Sequence, residues 1–172
     1  AAPAAESTAD AAGAPDGDGD PTTLTVAMEC AYAPYNWTQS DDSNGAVAIR
    51  GSSDYAYGYD VMMAKKIGEA LGQQVQIVKL DWDSLIPAVM SGDVDCVIAG
   101  QSITAERAAQ VDFSNPYYYA SIVTLTKKDS AYANAASVAD LAGATATSQL
   151  GTIWYDTCLP QIENANILPA QE

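Results

Sequence analysis

The chain has 172 residues, 48% of them hydrophobic, with 7 basic and 22 acidic side chains and a formal charge of -15. That charge excludes nucleic acid and anionic lipid surfaces as natural partners, since both attract basic proteins. No apolar run approaches the ~20 residues needed to cross a bilayer, and the lack of histidine, with only the dispersed Cys30, Cys96 and Cys158, leaves no zinc or copper ligand set and no disulfide framework.

Residues 1–21 hold Ala, Asp, Gly, Pro, Ser, Thr and one Glu, with no large apolar or aromatic side chain. Such a stretch cannot offset its ordering entropy by burial and is expected to be a disordered tether. A tether of this kind ahead of a folded domain is what remains when a secreted protein or lipoprotein loses its leader, so an extracellular location is expected.

From Thr22 onward, strand-like and helix-like segments alternate. Leu24 to Met28 (LTVAM) reads as a strand, ended by the turn-rich ECAYAPYNW, and the polar stretch Gln39 to Asp54 as a long hairpin or loop. Asp60 is placed to cap a helix over VMMAKKIGEALG, in which Val61, Ala64, Ile67, Ala70 and Leu71 recur at helical spacing and Gly72 marks the stop. Val75 to Leu80 follows as a strand. Asp83 or Ser84 then caps a short helix with Pro87 in its first turn, Gly92 ends it, and Val94 to Ala99 forms a third strand in which Cys96 reads as a small buried hydrophobe. This order implies a parallel sheet with right-handed crossovers.

After Gly100, Thr104 caps a small helix, AERAAQV. VDFSNPYYYA then breaks the rhythm, placing a lobe boundary between 116 and 117: residues 22–116 form a first lobe and 117–172 part of a second. The second half is expected to contain a strand at Ile122 to Thr126, a short helix in SVADLAG, a strand at Ala144 to Ser148, a helix opened by Gly151 and Thr152, and a strand beginning at Asn166.

In open parallel sheets, ligands sit beyond the carboxyl ends of the strands. That rule selects Glu29 to Tyr32, Asp81 with Trp82, Gly100 to Arg107, and Gly151 with Thr152. Arg107 offers a fork-shaped donor suited to a carboxylate, or alternatively a surface pair with Asp112. Thr152, with the backbone N–H of Ile153, forms a second helix start, which also fits a plain cap. Tyr32 and Trp82 could clamp an aliphatic stem or face a cation, or simply pack. Glu29 could pair with an ammonium or guanidinium group, or join a loop hydrogen bond.

The ordered set CAYAPYNW, YGYDVMMAKKIGEALG, LDWDSLIPAVMSGDVDCVIAGQSITAER and VDFSNPYYY resembles the bacterial extracellular solute-binding proteins that deliver amino acids to ABC importers. The resemblance implies an α/β, periplasmic-binding-protein-like fold, here one parallel-sheet lobe plus an incomplete second α/β lobe, with two lobes that close on an amino acid. It implies that Tyr32 and Trp82 flank the ligand side chain and that Gly100 and Ser102 contribute backbone and hydroxyl contacts. Arg107 then binds the carboxylate with Thr152 and the N–H of Ile153, and Glu29 faces a basic side chain.

The implied partners are an amino acid and an ABC transporter permease, and the implied location is the periplasm or the cell surface as a lipoprotein. No cofactor, metal or catalytic residue is expected. The sequence stops before the second lobe would be complete, so self-association or domain exchange of the truncated chain is a further expectation. Competing readings in the same fold are a receptor's sensor domain and a dehydratase-like enzyme using Glu29 or Asp81 as its acid.

Overall fold

The computed structural model describes residues 21–171. The tether expected over 1–21 lies outside them, apart from Pro21. Contacts divide the chain between Ala99 and Gly100 into two compact units, upstream of the tyrosine-rich segment.

The first unit is built on strand β1 (Thr23–Met28), whose LTVAM run is buried from Leu24 onward. Strands β2 (Ala31–Tyr32), β3 (Asn36–Gln39), β4 (Val47–Ala48) and β5 (Tyr55–Tyr57) follow, then helix α1 (Tyr59–Leu71), strand β6 (Gln74–Lys79), helix α2 (Leu85–Ser91) and strand β7 (Cys96–Val97). β6, β1 and β7 form a parallel sheet in that order, with Thr23 opposite Gln74, Met28 opposite Lys79 and Val26 opposite Cys96. The strand–helix–strand–helix–strand order read from the sequence is therefore realised. β7 is shorter than the expected 94–99, although the N–H groups of Asp95 and Ile98 donate to Thr25 and Ala27 on either side of it.

α1 covers one part of the sheet with Val61, Ala64 and Gly68, and α2 adds Leu85 and Ala88. Val26, Met28, Val61, Ile77 and Leu85 are wholly enclosed and make up the core. Gly72 and Gly92 end the two helices in the left-handed conformation, at φ 72 and 77.

The long hairpin or loop read at Gln39 to Asp54 is a hairpin connection, since β3 pairs antiparallel with β5 from Gln39 opposite Tyr55; β2 and β4 extend the pair into a separate four-stranded sheet, with Trp37 meeting Tyr57 edge-on at 5.3 Å. One expectation for this unit needs correction. Asp60 does not cap α1. It lies inside the helix, and the first-turn N–H groups of Tyr59 and Asp60 donate to the carbonyls of Pro34 and Tyr35, so a neighbouring loop satisfies the orphan donors in place of a capping side chain.

The second unit contains helix α3 (Ala105–Ala108), strand β8 (Thr145–Gln149) and strand β9 (Asn166–Ala170), the last two paired parallel. The SVADLAG helix is a single 3-10 turn at Val138–Leu141, held at its start by Asp140, whose Oδ2 accepts from the Ser137 hydroxyl at 2.9 Å. The helix expected after Gly151 is a π turn at Trp154–Cys158 followed by a 3-10 turn at Leu159–Gln161. Leu141, Ala144 and Ile162 form this unit's small core, with Tyr132 and Leu159 against it. The strand expected at Ile122 to Thr126 is not formed, and Val123 and Leu125 are 83% and 97% exposed. β-branched residues make a strand only where a neighbour offers pairing and cover.

Candidate functional site

The selected residues fall on both units. In the first, Glu29 and Trp82 leave the same edge of one sheet. β1 and β6 run parallel with Met28 opposite Lys79, and the Leu80 N–H donates to the Met28 carbonyl at 3.1 Å, so both chains exit together at their carboxyl ends. Glu29 is buried, at 8% exposure, directly after β1. Trp82 is half-buried and opens the 3-10 turn leading into α2. Tyr32 is half-buried and stacks on Tyr35, with ring centroids 4.9 Å apart and planes at 25°.

The loop carrying Glu29 and Tyr32 is fixed by polar groups that sequence reasoning missed. Cys30 has φ 56, a left-handed conformation uncommon for a residue with a side chain. Its N–H donates to Asn36 Oδ1 at 2.8 Å, and its carbonyl accepts from Thr38 Oγ1 at 2.9 Å. The other end of the Asn36 amide donates to the Asp60 carboxylate at 2.7 Å, and both side chains are fully enclosed. The available signal was a polar residue set within each of two aromatic, β-prone stretches, YNW and GYDV. Burial pushes the Cys30 thiol up to about 11, with Lys79 opposing and Glu29 reinforcing the shift.

In the second unit Arg107 is the organising side chain. Thr104 caps α3, its hydroxyl accepting from the Arg107 N–H at 3.2 Å. Half-buried, the guanidinium donates through Nη1 to the Ser102 carbonyl at 2.8 Å and through Nη2 to the Gly151 carbonyl at 2.9 Å. Burial lowers its pKa, while Asp156 and Glu106 act the other way. Ser102, Arg107 and Gly151 are thus joined directly, with Thr152 next in the chain.

Thr152 is 3% exposed, and its hydroxyl donates to the Gln149 carbonyl at 2.7 Å while accepting the Tyr155 N–H at 3.3 Å. That hydroxyl serves as a local cap. Ile153 is half-buried beside it. Gly100 is exposed at φ 61, and its N–H donates to the Tyr117 hydroxyl at 3.0 Å, a partner the sequence did not suggest.

Chemically, the first set offers a buried carboxylate and flat aromatic surface, suited to an organic cation. The second offers a partly desolvated guanidinium that donates to two carbonyls and feels the carboxylates of Asp156 and Glu106, a fork-shaped donor of the kind that suits a carboxylate. Among the described residues no group of three or more His, Cys, Asp or Glu side chains could hold a metal ion. An open groove of about 580 Å³ between β6 and α2, lined by Arg50, Leu80, Pro87 and Asp93 among others, includes none of the selected residues.

A parallel sheet with helical crossovers and with polar and aromatic side chains beyond its carboxyl edge makes an α/β protein of the kind that binds ligands at that edge. Residues 24–149 match the model of the bacterial extracellular solute-binding proteins, family 3, and the chain belongs to that family. It is 34% identical over 130 residues to the arginine-binding extracellular protein ArtP of Bacillus subtilis, covering 76% of this chain and 45% of that one. Among solved structures, the ancestral amino acid-binding protein AncCDT-1, described as a precursor of cyclohexadienyl dehydratase, superposes with TM-score 0.71 at 33% identity, covering 88% of this chain and 62% of that one. The arginine-bound form of truncated ArgBP from T. maritima gives TM-score 0.71 at 30% identity, covering 88% and 65%. The chain therefore spans about half the length of the curated relative and under two thirds of each solved chain.

Proposed function

We propose that this chain binds a free L-amino acid with a cationic side chain, arginine foremost, and delivers it to an ABC transporter permease without a catalytic step. The observation that carries the reading is the buried Glu29 at the carboxyl end of β1. Glu29 meets the ligand's cation, Tyr32 and Trp82 flank its stem, and Arg107, with Gly100, Ser102, Thr152 and the N–H of Ile153, meets its carboxylate. The arginine named in the descriptions of ArtP and ArgBP supports the same ligand class. The protein works outside the cytoplasmic membrane, in the periplasm or anchored as a lipoprotein. Self-association belongs to the same proposal, since Ile122, Val123 and Leu125 present apolar surface; a concentration-independent monomer in sedimentation would remove it.

Titration calorimetry of the intact protein against the twenty L-amino acids tests the reading. Saturable binding of arginine, weaker binding of lysine or histidine, and none of the acidic amino acids is expected. Binding of an acidic amino acid in preference to arginine would overturn it. The description of AncCDT-1 as a dehydratase precursor supports one second reading, an enzyme with Glu29 or Asp81 as general acid; turnover of a prephenate-like substrate would establish it.

A further inference from the structure

We infer that Asn36 is a positioning residue for the ligand loop, setting the direction in which Glu29 and Tyr32 leave β1, with the buried Asp60 carboxylate as its anchor. This inference rests on the amino-acid-binding reading.

Four observations carry it. First, the Asn36 side chain is a bridge with no slack: Oδ1 accepts the Cys30 N–H at 2.8 Å and Nδ2 donates to Asp60 at 2.7 Å. A side-chain amide accepts at its oxygen and donates from its nitrogen, which matches a backbone N–H on one side and a carboxylate on the other. Second, the residue it grips is Cys30, between Glu29 and Tyr32 and in a left-handed conformation (φ 56) that a side chain disfavours and that surrounding bonds must hold. Third, the Cys30 carbonyl is held from the other side by Thr38 Oγ1, which in turn accepts from Lys79 Nζ at 3.3 Å, so one residue is pinned at both its backbone polar groups.

The fourth observation is that the anchor is rigid. Asp60 sits in the first turn of α1, and its own N–H donates to the Tyr35 carbonyl at 2.8 Å. The preceding Gly58 (φ 130) lies so close to the loop that a Cβ there would stand 2.3 Å from the same carbonyl oxygen. Helix start and loop are therefore one fixed body, and the amide transmits that rigidity to the turn from which Glu29 and Tyr32 project. A misplacement of about 1 Å in a binding group is enough to cost substantial affinity.

The test uses the intact protein and measures affinity for L-arginine and L-glutamine by calorimetry, at a temperature where every variant is folded. Asn36→Ala is expected to weaken arginine about tenfold or more and to bring the arginine-to-glutamine ratio down toward one, because the carboxylate that reads the cation loses its aim. Ile77→Val, a core deletion away from the loop, is expected to keep both values despite its own loss of thermal stability.

Asn36→Asp alone sets a second carboxylate against Asp60 and is expected to weaken binding. Combined with Asp60→Asn it rebuilds the bridge with donor and acceptor exchanged, and is expected to restore affinity and ratio together. If Asn36→Ala does not fold, the exchanged pair and Thr38→Val carry the decision, the latter with a smaller loss in the same direction. Should wild type bind arginine while Asn36→Ala keeps both affinity and ratio, the inference falls and the function stands; should wild type bind no amino acid, both fall.

Discussion

Nη2 of Arg107 donates to the carbonyl of Gly151 at 2.9 Å across 44 residues of chain, while Nη1 of the same guanidinium holds the Ser102 carbonyl. A single side chain thus ties the turn before α3 to the turn after β8. These two carbonyl acceptors are neutral, while the carboxylates of Asp156 and Glu106 act on the same guanidinium.

Arg107→Ala removes the clasp and, with it, the carboxylate partner proposed above. Arginine affinity is expected to fall about 10- to 100-fold, the equivalent of losing one charge-assisted hydrogen bond or a bidentate pair. Arg107→Lys keeps the charge without the fork and should recover only part of this. Calorimetry reads the result, and unchanged affinity in the alanine variant would remove the carboxylate assignment.

Glu29→Gln preserves shape and removes charge. Arginine binding is expected to weaken by about tenfold or more, while a neutral polar amino acid such as glutamine loses little, because only the cation depends on the carboxylate. Equal losses for both ligands would show that Glu29 acts on the loop and not on the ligand.

Gly58→Ala places a methyl group where no space exists and at a φ of 130. A loss of about 1–3 kcal/mol or more is expected, read as a lower urea midpoint. An unchanged midpoint would mean that the loop and the start of α1 are free to part.

The thiols of Cys30 and Cys96 are both raised from 9.0 to about 11, by burial first in each case. The folded state therefore holds these protons more tightly than the unfolded chain does. Their contribution to stability is complete below pH 9 and is lost as pH rises toward 11. The slope approaches about 1.4 kcal/mol per pH unit for each thiol. Urea unfolding from pH 8 upward should show Cys96→Ala with a shallower decline than wild type; parallel declines would contradict the assignment.

The parallel sheet was legible because β-prone runs alternate with helices stopped by Gly72 and Gly92, and α1 because its apolar positions keep helical spacing. The antiparallel sheet was not, since β2 and β4 are two residues long and lie within polar sequence that carries turn signals. IVTLT misled in the opposite sense: its composition favours a strand, yet it has no pairing neighbour among the described residues. Asp60 misled because an acid ahead of an amphipathic run reads as a cap, whereas the carbonyls of Pro34 and Tyr35 do that work and release its carboxylate for Asn36. Arg107 and Thr152 were selected by their place after strands, but the bond from Arg107 to Gly151 joins distant turns and leaves no local pattern.

Agmatine, which is arginine without its carboxylate, gives the most direct test of the central claim that Glu29 reads the cation and Arg107 the carboxylate. Wild-type protein is expected to bind L-arginine far more tightly than agmatine, and Arg107→Ala to erase that difference by weakening arginine alone. Equal weakening of both ligands in that variant, or no preference for arginine in wild type, would contradict it.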